Sequence, residues 1–192
     1  MPSLLADVFD MRIIIRAVEE RGEFIDYLRK HLPEAEWCFD EKRDAMHTFI
    51  KGMRMAGNDP CIHMEEDIVL TKNFTQKALA VITQKPFNLI QFFSMRKKDL
   101  TEGSRWDNKF MMNQCHYNPP RYSNLIADFW ERWPKRIADP TGYDLMMQEF
   151  LRERKEKYWI HTPSLVDHRV AKSMIDPRRS SKRQSLTFED AV

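Results

Sequence analysis

The chain has 192 residues, of which 42% are hydrophobic and 31% charged, with 31 lysines and arginines against 29 aspartates and glutamates. This composition excludes a disordered chain, and the length fits one domain with a single core and a short appendage. Three cysteines without a CxxC spacing argue against a disulfide scaffold or a cysteine-rich zinc site, and no apolar run reaches the ~20 residues of a membrane span, so we expect a soluble, cytoplasmic protein.

The first half of the chain predicts alternating strands and helices. Three segments have the β-branched, alternating or apolar character of strands, namely Met11–Arg16, Glu36–Asp40 and Cys61–Met64. Apolar residues at helical spacing predict two helices between them, Glu19–His31 and Asp44–Ala56. The order β-α-β-α-β predicts a mostly parallel central sheet, because parallel strands are joined by right-handed crossovers.

The second half continues this pattern less regularly. Three further helices are predicted at Lys72–Thr83, Pro119–Phe129 and Gly142–Glu156, and three further strands at Asn88–Ser94, Lys109–Tyr117 and Trp159–Val166. The polar stretch Met95–Asn108 has no period and predicts a loop long enough to be functional. We therefore predict one α/β domain over residues 1–176, with helices flanking the sheet, and a basic Ser/Arg-rich tail over residues 177–192, which we expect to be mobile unless a ligand orders it.

Phosphate binding by this chain would depend on cations. The five glycines are too far apart to form GxGxxG or GxxxxGK, which excludes a dinucleotide fingerprint and a P-loop. Residues 152–183 contain ten basic and four acidic side chains, so a nearly neutral chain ends in a basic segment. Such a segment suits a polyanion.

An acidic triplet, Glu65-Glu66-Asp67, follows the third predicted strand. In an extended backbone residues i and i+2 point to the same side, so we expect Glu65 and Asp67 to converge and Glu66 to turn away. Two carboxylates at a strand end suit Mn²⁺ or Mg²⁺, which keeps coordination positions for phosphate oxygens and water. Open sheets bind ligands at the carboxyl ends of their strands. The alternative is a solvated acidic turn.

Two motifs resemble a known class of enzymes. The string HMEEDIVL, which contains the triplet, resembles the strand-and-acid signature of GT-A-type glycosyltransferases. The string IHTPSLVDH at residues 160–168, followed by Ser173 and RRSSKRQSLTF, is similar to the PSLVxH ending of glycosyltransferase family 25 and related small transferases, including small phage-type DNA glycosyltransferases. The motifs occur in the right order, although the triplet departs from the commoner acid-Asp-Asp by having Glu66 in its middle. The resemblance implies a GT-A-like, Rossmann-like domain and metal-dependent transfer of a hexose from a UDP-sugar.

The same resemblance implies roles for individual residues. Glu65, Asp67 and His168 would hold the metal, Mn²⁺ or Mg²⁺. The nucleotide sugar would contact residues at the strand ends and in the basic segment, namely Arg16, Asp40, Arg43, Glu65, Glu66, Asp67, Arg178 and Arg179, with Lys172 beside the diphosphate. Asp144 would be the catalytic base of an inverting enzyme. Ordinary surface residues remain the alternative for His168 and Arg16, a helix-start acid for Asp40 or Asp44, and a macrodipole-stabilising acid for Asp144.

The acceptor is less defined by the sequence. Cations and a ring in the polar stretch, namely Arg96, Lys97, Lys98, Arg105 and Trp106, form a mixture typical of nucleic-acid binding. We therefore expect a hydroxymethylated base in DNA as acceptor, with a glycan or lipopolysaccharide core as the alternative. A second class of function is a nucleic-acid-binding module without enzymatic activity. The sugar, the stereochemical outcome and the oligomeric state stay open.

Overall fold

A computed structural model of the protein describes residues 11–134, 142–171, 174 and 183–192. The described residues form nine strands: β1 Arg12–Ala17, β2 Glu36–Phe39, β3 Cys61–Glu65, β4 Ile68–Leu70, β5 Ile90–Gln91, β6 Arg105–Asp107, β7 Cys115–Asn118, β8 Tyr158–Ile160 and β9 Val166–His168. They also form six α-helices: α1 Gly22–His31, α2 Ala45–Ala56, α3 Phe74–Gln84, α4 Asp99–Glu102, α5 Tyr122–Arg132 and α6 Tyr143–Arg154. A 3₁₀ turn at Glu19–Arg21 precedes α1. Within these ranges no helix combines the length and the apolar character needed to cross a bilayer.

Seven strands form a central sheet in the order β2-β1-β3-β7-β5-β8-β6. Strands β1, β2 and β3 run parallel to one another, and β5 runs parallel to β8. Strands β7 and β6 are antiparallel to their neighbours, so five of the seven strands share one direction. This mixed but mostly parallel sheet, with flanking helices, confirms the predicted α/β fold class. Strands β4 and β9 form a separate antiparallel pair.

The two faces of the sheet bury separate cores. Ile13 and Ile15 of β1 face one core, where they join Leu28 of α1 and Ile82 of α3. A second core is formed mainly by apolar side chains of α2, α5 and α6, such as Met53, Ile126 and Met147. Side chains alternate along a strand, so β1 turns Ile14 and Arg16 away from the first core. Helices on both faces explain the apolar character of β1.

Four predicted segments differ from the structure, and one of them is the predicted strand Asn88–Ser94, which is reduced to β5. The stretch Met95–Asn108 is not a loop throughout, because it contains α4 and the edge strand β6. Ion pairs of Arg96 with Asp107 and of Arg105 with Asp99 hold this stretch together. Charged residues of this kind leave no hydrophobic period in the sequence. The predicted strand Lys109–Tyr117 is reduced to β7, and the predicted strand Trp159–Val166 is divided between β8 and the start of β9, which belong to different sheets. Strand β4 was not predicted.

The end of the chain lies against the β4–β9 pair. The N–H of Val192 donates to Leu70 O at 3.0 Å, and the N–H of Lys72 donates to Asp190 O at 2.8 Å. The N–H of Ser185 donates to the carboxylate of Asp167 in β9 at 2.6 Å. Residues 183–192, which the sequence assigns to a tail, therefore pack on the domain.

Candidate functional site

The carboxyl ends of β1, β2 and β3 surround a cavity. Arg16 lies near the end of β1, Asp40 follows β2, and Glu65 ends β3, so the parallel register brings these residues to one edge of the sheet. The cavity has a volume of about 80 Å³ and is lined by residues from the strand ends and neighbouring segments: Arg16, Ala17, Val18, Arg21, Asp40, Ala45, Thr48, Glu65, Glu66, Asp67, Tyr143, Met174 and Arg183. This is the edge at which open α/β sheets bind ligands.

The side chains of the acidic triplet do not follow the predicted alternation of directions. Strand β3 ends at Glu65 and the chain bends at residues 66 and 67 before β4, so the i, i+2 rule for extended backbone does not apply. Glu65 accepts a hydrogen bond from the Tyr143 hydroxyl at 3.2 Å and lies 3.6 Å from Arg16. Glu66 does not turn away, because Arg21 pairs with both Glu66, at 2.9 Å, and Asp67, at 2.6 Å.

Burial and neighbouring groups shift the pKa values of Glu66 and Asp67 in opposite directions. Burial, followed by the charge of Asp67, raises the pKa of Glu66 to about 8 although Arg21 opposes the shift. Burial alone would also raise the pKa of Asp67, but contacts with His168 and Arg21 outweigh it and lower that pKa to about 2. Burial and neighbours therefore favour the protonated form of Glu66 and the charged form of Asp67.

Arg16 is the buried cation at the floor of the cavity. One terminal nitrogen donates to Asn113 O at 2.8 Å, and the guanidinium lies 4.9 Å from the centre of the Phe49 ring. The other terminal nitrogen, Nη1, is buried and has no hydrogen-bond partner among the described residues. Since buried polar groups are normally bonded, this N–H is available to a ligand atom such as a phosphate oxygen.

His168 reaches the acids through the small β4–β9 sheet. The pairing of His168 with Ile68 brings its ring beside Asp67, with Nε2 3.2 Å from Oδ2. Nδ1 lies 2.5 Å from the carbonyl oxygen of Arg169, to which it can only donate. Nε2 lies between Arg183, at 2.7 Å, and the Asp67 carboxylate, so the ring links the end of the chain to the acidic triplet.

Metal ligation was predicted for Glu65, Asp67 and His168. In the described part of the chain, no three His, Cys, Asp or Glu side chains are arranged to hold a metal ion. Asp67 and His168 are adjacent, and Oδ1 of Asp67 is buried without a hydrogen-bond partner among the described residues. All three predicted ligands contact other side chains: Glu65 contacts Tyr143 and Arg16, Asp67 contacts Arg21, and His168 contacts Arg183.

Arg43, a further predicted nucleotide contact, lies outside this cavity. Arg43 is exposed and pairs with Glu20, so it is not among the lining residues. Asp44 caps α2 by accepting the N–H of His47 at 2.9 Å, which supports the helix-start alternative for that residue. Arg178 and Arg179 lie outside the described residues, as does Lys172.

Asp144 lies in the first turn of α6, beside the main cavity. Its Oδ2 accepts the N–H of Met112 at 3.0 Å, and it lines a second cavity that shares Tyr143 and Arg183 with the first. This position is compatible with a helix-start acid and with a group that faces a bound acceptor.

The five predicted acceptor residues do not form one open surface. Arg96 pairs with Asp107 at 2.6 Å and Arg105 pairs with Asp99 at 2.7 Å, in side chains that are mostly buried. Those two arginines hold β6 and α4 together. Lys97, Lys98 and Trp106 are exposed.

Sequence reasoning missed three residues of the main cavity, Arg21, Tyr143 and Arg183. Arg21 follows β1 by a few residues, so its position after a strand end was an available signal. Tyr143 and Arg183 come from distant parts of the chain, and only tertiary structure brings them to the triplet.

No protein family model and no curated protein matches the sequence. Among solved structures, A197 from STIV is similar over 95% of this chain and 97% of its own, with 18% identity and a TM-score of 0.44. A protein described as a glucose-1-phosphate thymidylyltransferase from Bacillus anthracis, in complex with sucrose, is similar over 85% of this chain and 73% of its own, with 10% identity and a TM-score of 0.48. Similarity at this level carries no functional argument.

Proposed function

We propose that the protein is a glycosyltransferase that takes a hexose from a UDP-sugar and transfers it to an acceptor hydroxyl. The observation that supports this proposal is the cavity at the carboxyl ends of β1, β2 and β3, where Arg16, Arg21 and Arg183 meet Asp40 and the acidic triplet. We assign this cavity to the diphosphate alone, because its volume of about 80 Å³ is below the ~300–1,000 Å³ of pockets that enclose whole ligands.

The donors of the cavity suit a phosphorylated ligand. Three guanidinium groups line it beside the carboxylates of Asp40, Glu65 and Asp67, and burial, which raises the pKa of Glu66 to about 8, favours the neutral form of the fourth acid. Arginine presents several N–H donors in a plane, which suits the oxygens of a diphosphate. A chain without a glycine-rich phosphate loop would bind phosphate through such side chains.

A divalent cation, Mn²⁺ or Mg²⁺, belongs to the proposal. Asp67 and His168 would hold it, with Glu65 as a further carboxylate nearby. Such ions are commonly bound by one or two protein carboxylates together with substrate phosphates and water, so two protein ligands are sufficient. When bound, the ion would supply positive charge to the departing diphosphate.

The acceptor is proposed to be a hydroxymethylated base in DNA, with a glycan as the competing acceptor. Exposed Lys97, Lys98 and Trp106 support contact with a polyanion that carries bases. Asp144 is proposed as the group that removes the proton from the acceptor hydroxyl, because it lies in the cavity that adjoins the triplet.

The donor assignment is tested by calorimetry and by hydrolysis of UDP-sugars. We expect the wild-type protein to bind UDP with Mn²⁺ and to hydrolyse a UDP-sugar slowly, and Asp67→Asn and Glu65→Gln to reduce both by at least about tenfold. Glu20→Gln is the matched control, since Glu20 is an exposed acid outside the cavity. Equal UDP binding and hydrolysis in the wild type and in both cavity variants would contradict the donor assignment.

The acceptor is tested with radiolabelled UDP-sugars. Unmodified DNA, DNA containing 5-hydroxymethylcytosine and a lipopolysaccharide core are offered in parallel. We expect label only in the hydroxymethylated DNA. Transfer to the glycan alone would replace the DNA acceptor and retain the enzyme class, whereas DNA binding without any transfer or hydrolysis would favour the nucleic-acid-binding module.

A further inference from the structure

A second cavity of about 220 Å³ adjoins the arginine-lined one. The two cavities share Tyr143 and Arg183. The other residues that line the second cavity are Met95, Met112, Asn113, Gln114 and Asp144. Its polar lining thus combines two neutral amides with the Tyr143 hydroxyl, the Asp144 carboxylate and one guanidinium, whereas three guanidinium groups line the first cavity.

The amides of this cavity are buried and lack partners. The Asn113 side chain belongs to a residue that is 1% exposed, and neither Oδ1 nor Nδ2 has a hydrogen-bond partner among the described residues. Gln114 is 5% exposed, and its Oε1 also has none within the described ranges. Native proteins rarely leave buried amides unbonded, so these atoms are suited to a ligand that both donates and accepts hydrogen bonds.

Hydrogen bonds to their backbone carbonyls hold these two residues in place. The Gln114 carbonyl accepts the N–H of Glu65 at 2.9 Å, and the Asn113 carbonyl accepts the guanidinium of Arg16 at 2.8 Å. Main-chain bonds therefore fix both residues beside the first cavity. The side-chain amide of Asn113 and the Oε1 atom of Gln114 remain unbonded within the described residues, so they suit contact with a ligand.

The chemistry of the lining distinguishes between ligand classes. Sugar hydroxyls donate and accept, which matches an amide with both atoms unpartnered and a carboxylate at Asp144. A nucleobase needs a ring or apolar surface to stack on. Tyr143, the ring of this lining, is already stacked on Phe49, with 5.6 Å between ring centres and 13° between ring planes, which leaves Met95 and Met112 as the surface for a base.

We infer that this second cavity binds a sugar ring through the side-chain amides of Asn113 and Gln114. The sugar is either the hexose of the donor or a saccharide that binds independently. The first of these assignments rests on the proposed function, because it places the hexose next to the diphosphate cavity.

The inference is tested with Asn113→Leu and Gln114→Met, which keep the approximate volume of each side chain and remove its amide. Binding is measured by calorimetry and ligand-observed NMR. The ligands are UDP, three UDP-hexoses (UDP-glucose, UDP-galactose and UDP-N-acetylglucosamine), the matching methyl hexosides and an oligonucleotide with 5-hydroxymethylcytosine. We expect a loss of about tenfold in sugar affinity, corresponding to one or two hydrogen bonds, and no change for UDP. Asn124→Leu is the control, because Asn124 bonds to Asn58 outside both cavities.

The ligands in this experiment distinguish the hexose of the donor from an independent saccharide. They also distinguish failure of the sugar site from failure of the proposed function. A loss confined to UDP-hexoses assigns the amides to the donor, and a loss for methyl hexosides assigns them to an independent saccharide. If the wild type binds no UDP but binds methyl hexosides in an Asn113-dependent way, the sugar site stands without the donor proposal. Three results would overturn the inference: both variants bind every ligand as the wild type does, the wild type binds none of the sugars, or only an oligonucleotide with 5-hydroxymethylcytosine loses affinity.

Discussion

Replacing Arg21 tests the electrostatic description of the main cavity. Its side chain is 11% exposed and pairs with Glu66 and Asp67, whose side chains are 10% and 7% exposed. Arg21→Met keeps an apolar stem beside Phe24 but removes the guanidinium from a buried, charged Asp67. Removing one partner of a buried ion pair costs ~3–5 kcal/mol. Because burial favours the protonated form of Glu66 and His168 lies 3.2 Å from Asp67, we expect the lower end of that range, about 3 kcal/mol.

The measurement is urea unfolding at pH 7, followed by tryptophan fluorescence. Arg43→Met is the matched control, because Arg43 forms an exposed pair with Glu20 and should change the free energy of unfolding by well under about 1 kcal/mol. The double variant Arg21→Met/Asp67→Asn removes both charges and should recover part of the lost stability. A loss below about 1 kcal/mol in Arg21→Met, or no recovery in the double variant, would refute the argument.

Three further predictions concern the scaffold around the site. Burial would raise the pKa of Asp107, but the Lys109 N–H, Lys98 and Arg96 outweigh burial and lower that pKa. Charged Asp107 therefore stabilises the fold at pH values above the usual carboxyl pKa of about 4, and this stabilisation is lost as the pH falls through the lowered pKa. In urea unfolding at pH 7 and pH 3, Asp107→Asn should therefore show a smaller difference between the two pH values than the wild type. Phe49→Ala should cost ~3–5 kcal/mol in urea unfolding because Phe49 is fully buried in the second core, and it should also weaken UDP binding by removing the ring beside Arg16. Asp44→Ala should cost about 1 kcal/mol by removing the cap of α2, as measured by thermal unfolding followed by circular dichroism.

The first half of the fold was predictable because its strands and helices follow simple hydrophobic periods. Strand β1 contains three consecutive isoleucines, and α1 and α2 have apolar residues at helical spacing. The second half was harder because its strands are short and rich in polar residues. Strand β7 buries His116 and Asn118, and β6 owes its place to ion pairs, so neither carries a clear period-2 pattern.

The site was predictable where strand ends determine it. Arg16, Asp40 and Glu65 follow three neighbouring parallel strands, and the rule that carboxyl ends meet at one edge brings them together. The direction of Glu66 was not predictable, because it depends on a bend between β3 and β4. Arg183 could not be placed either, since its contact with His168 requires the end of the chain to return to the domain.

The antiparallel strand β7 explains why the two cavities adjoin. Because β7 runs against β3, the residues that precede it, Asn113 and Gln114, lie beside the carboxyl end of β3, where Gln114 O accepts the N–H of Glu65. A parallel β7 would place these amides at the opposite edge of the sheet and bring Asn118 to the cavity instead. Arg16 then joins the two sites, since it lines the first cavity and bonds to the carbonyl of Asn113. A substitution that weakens the pairing of β3 with β7 should therefore disturb phosphate and sugar binding together.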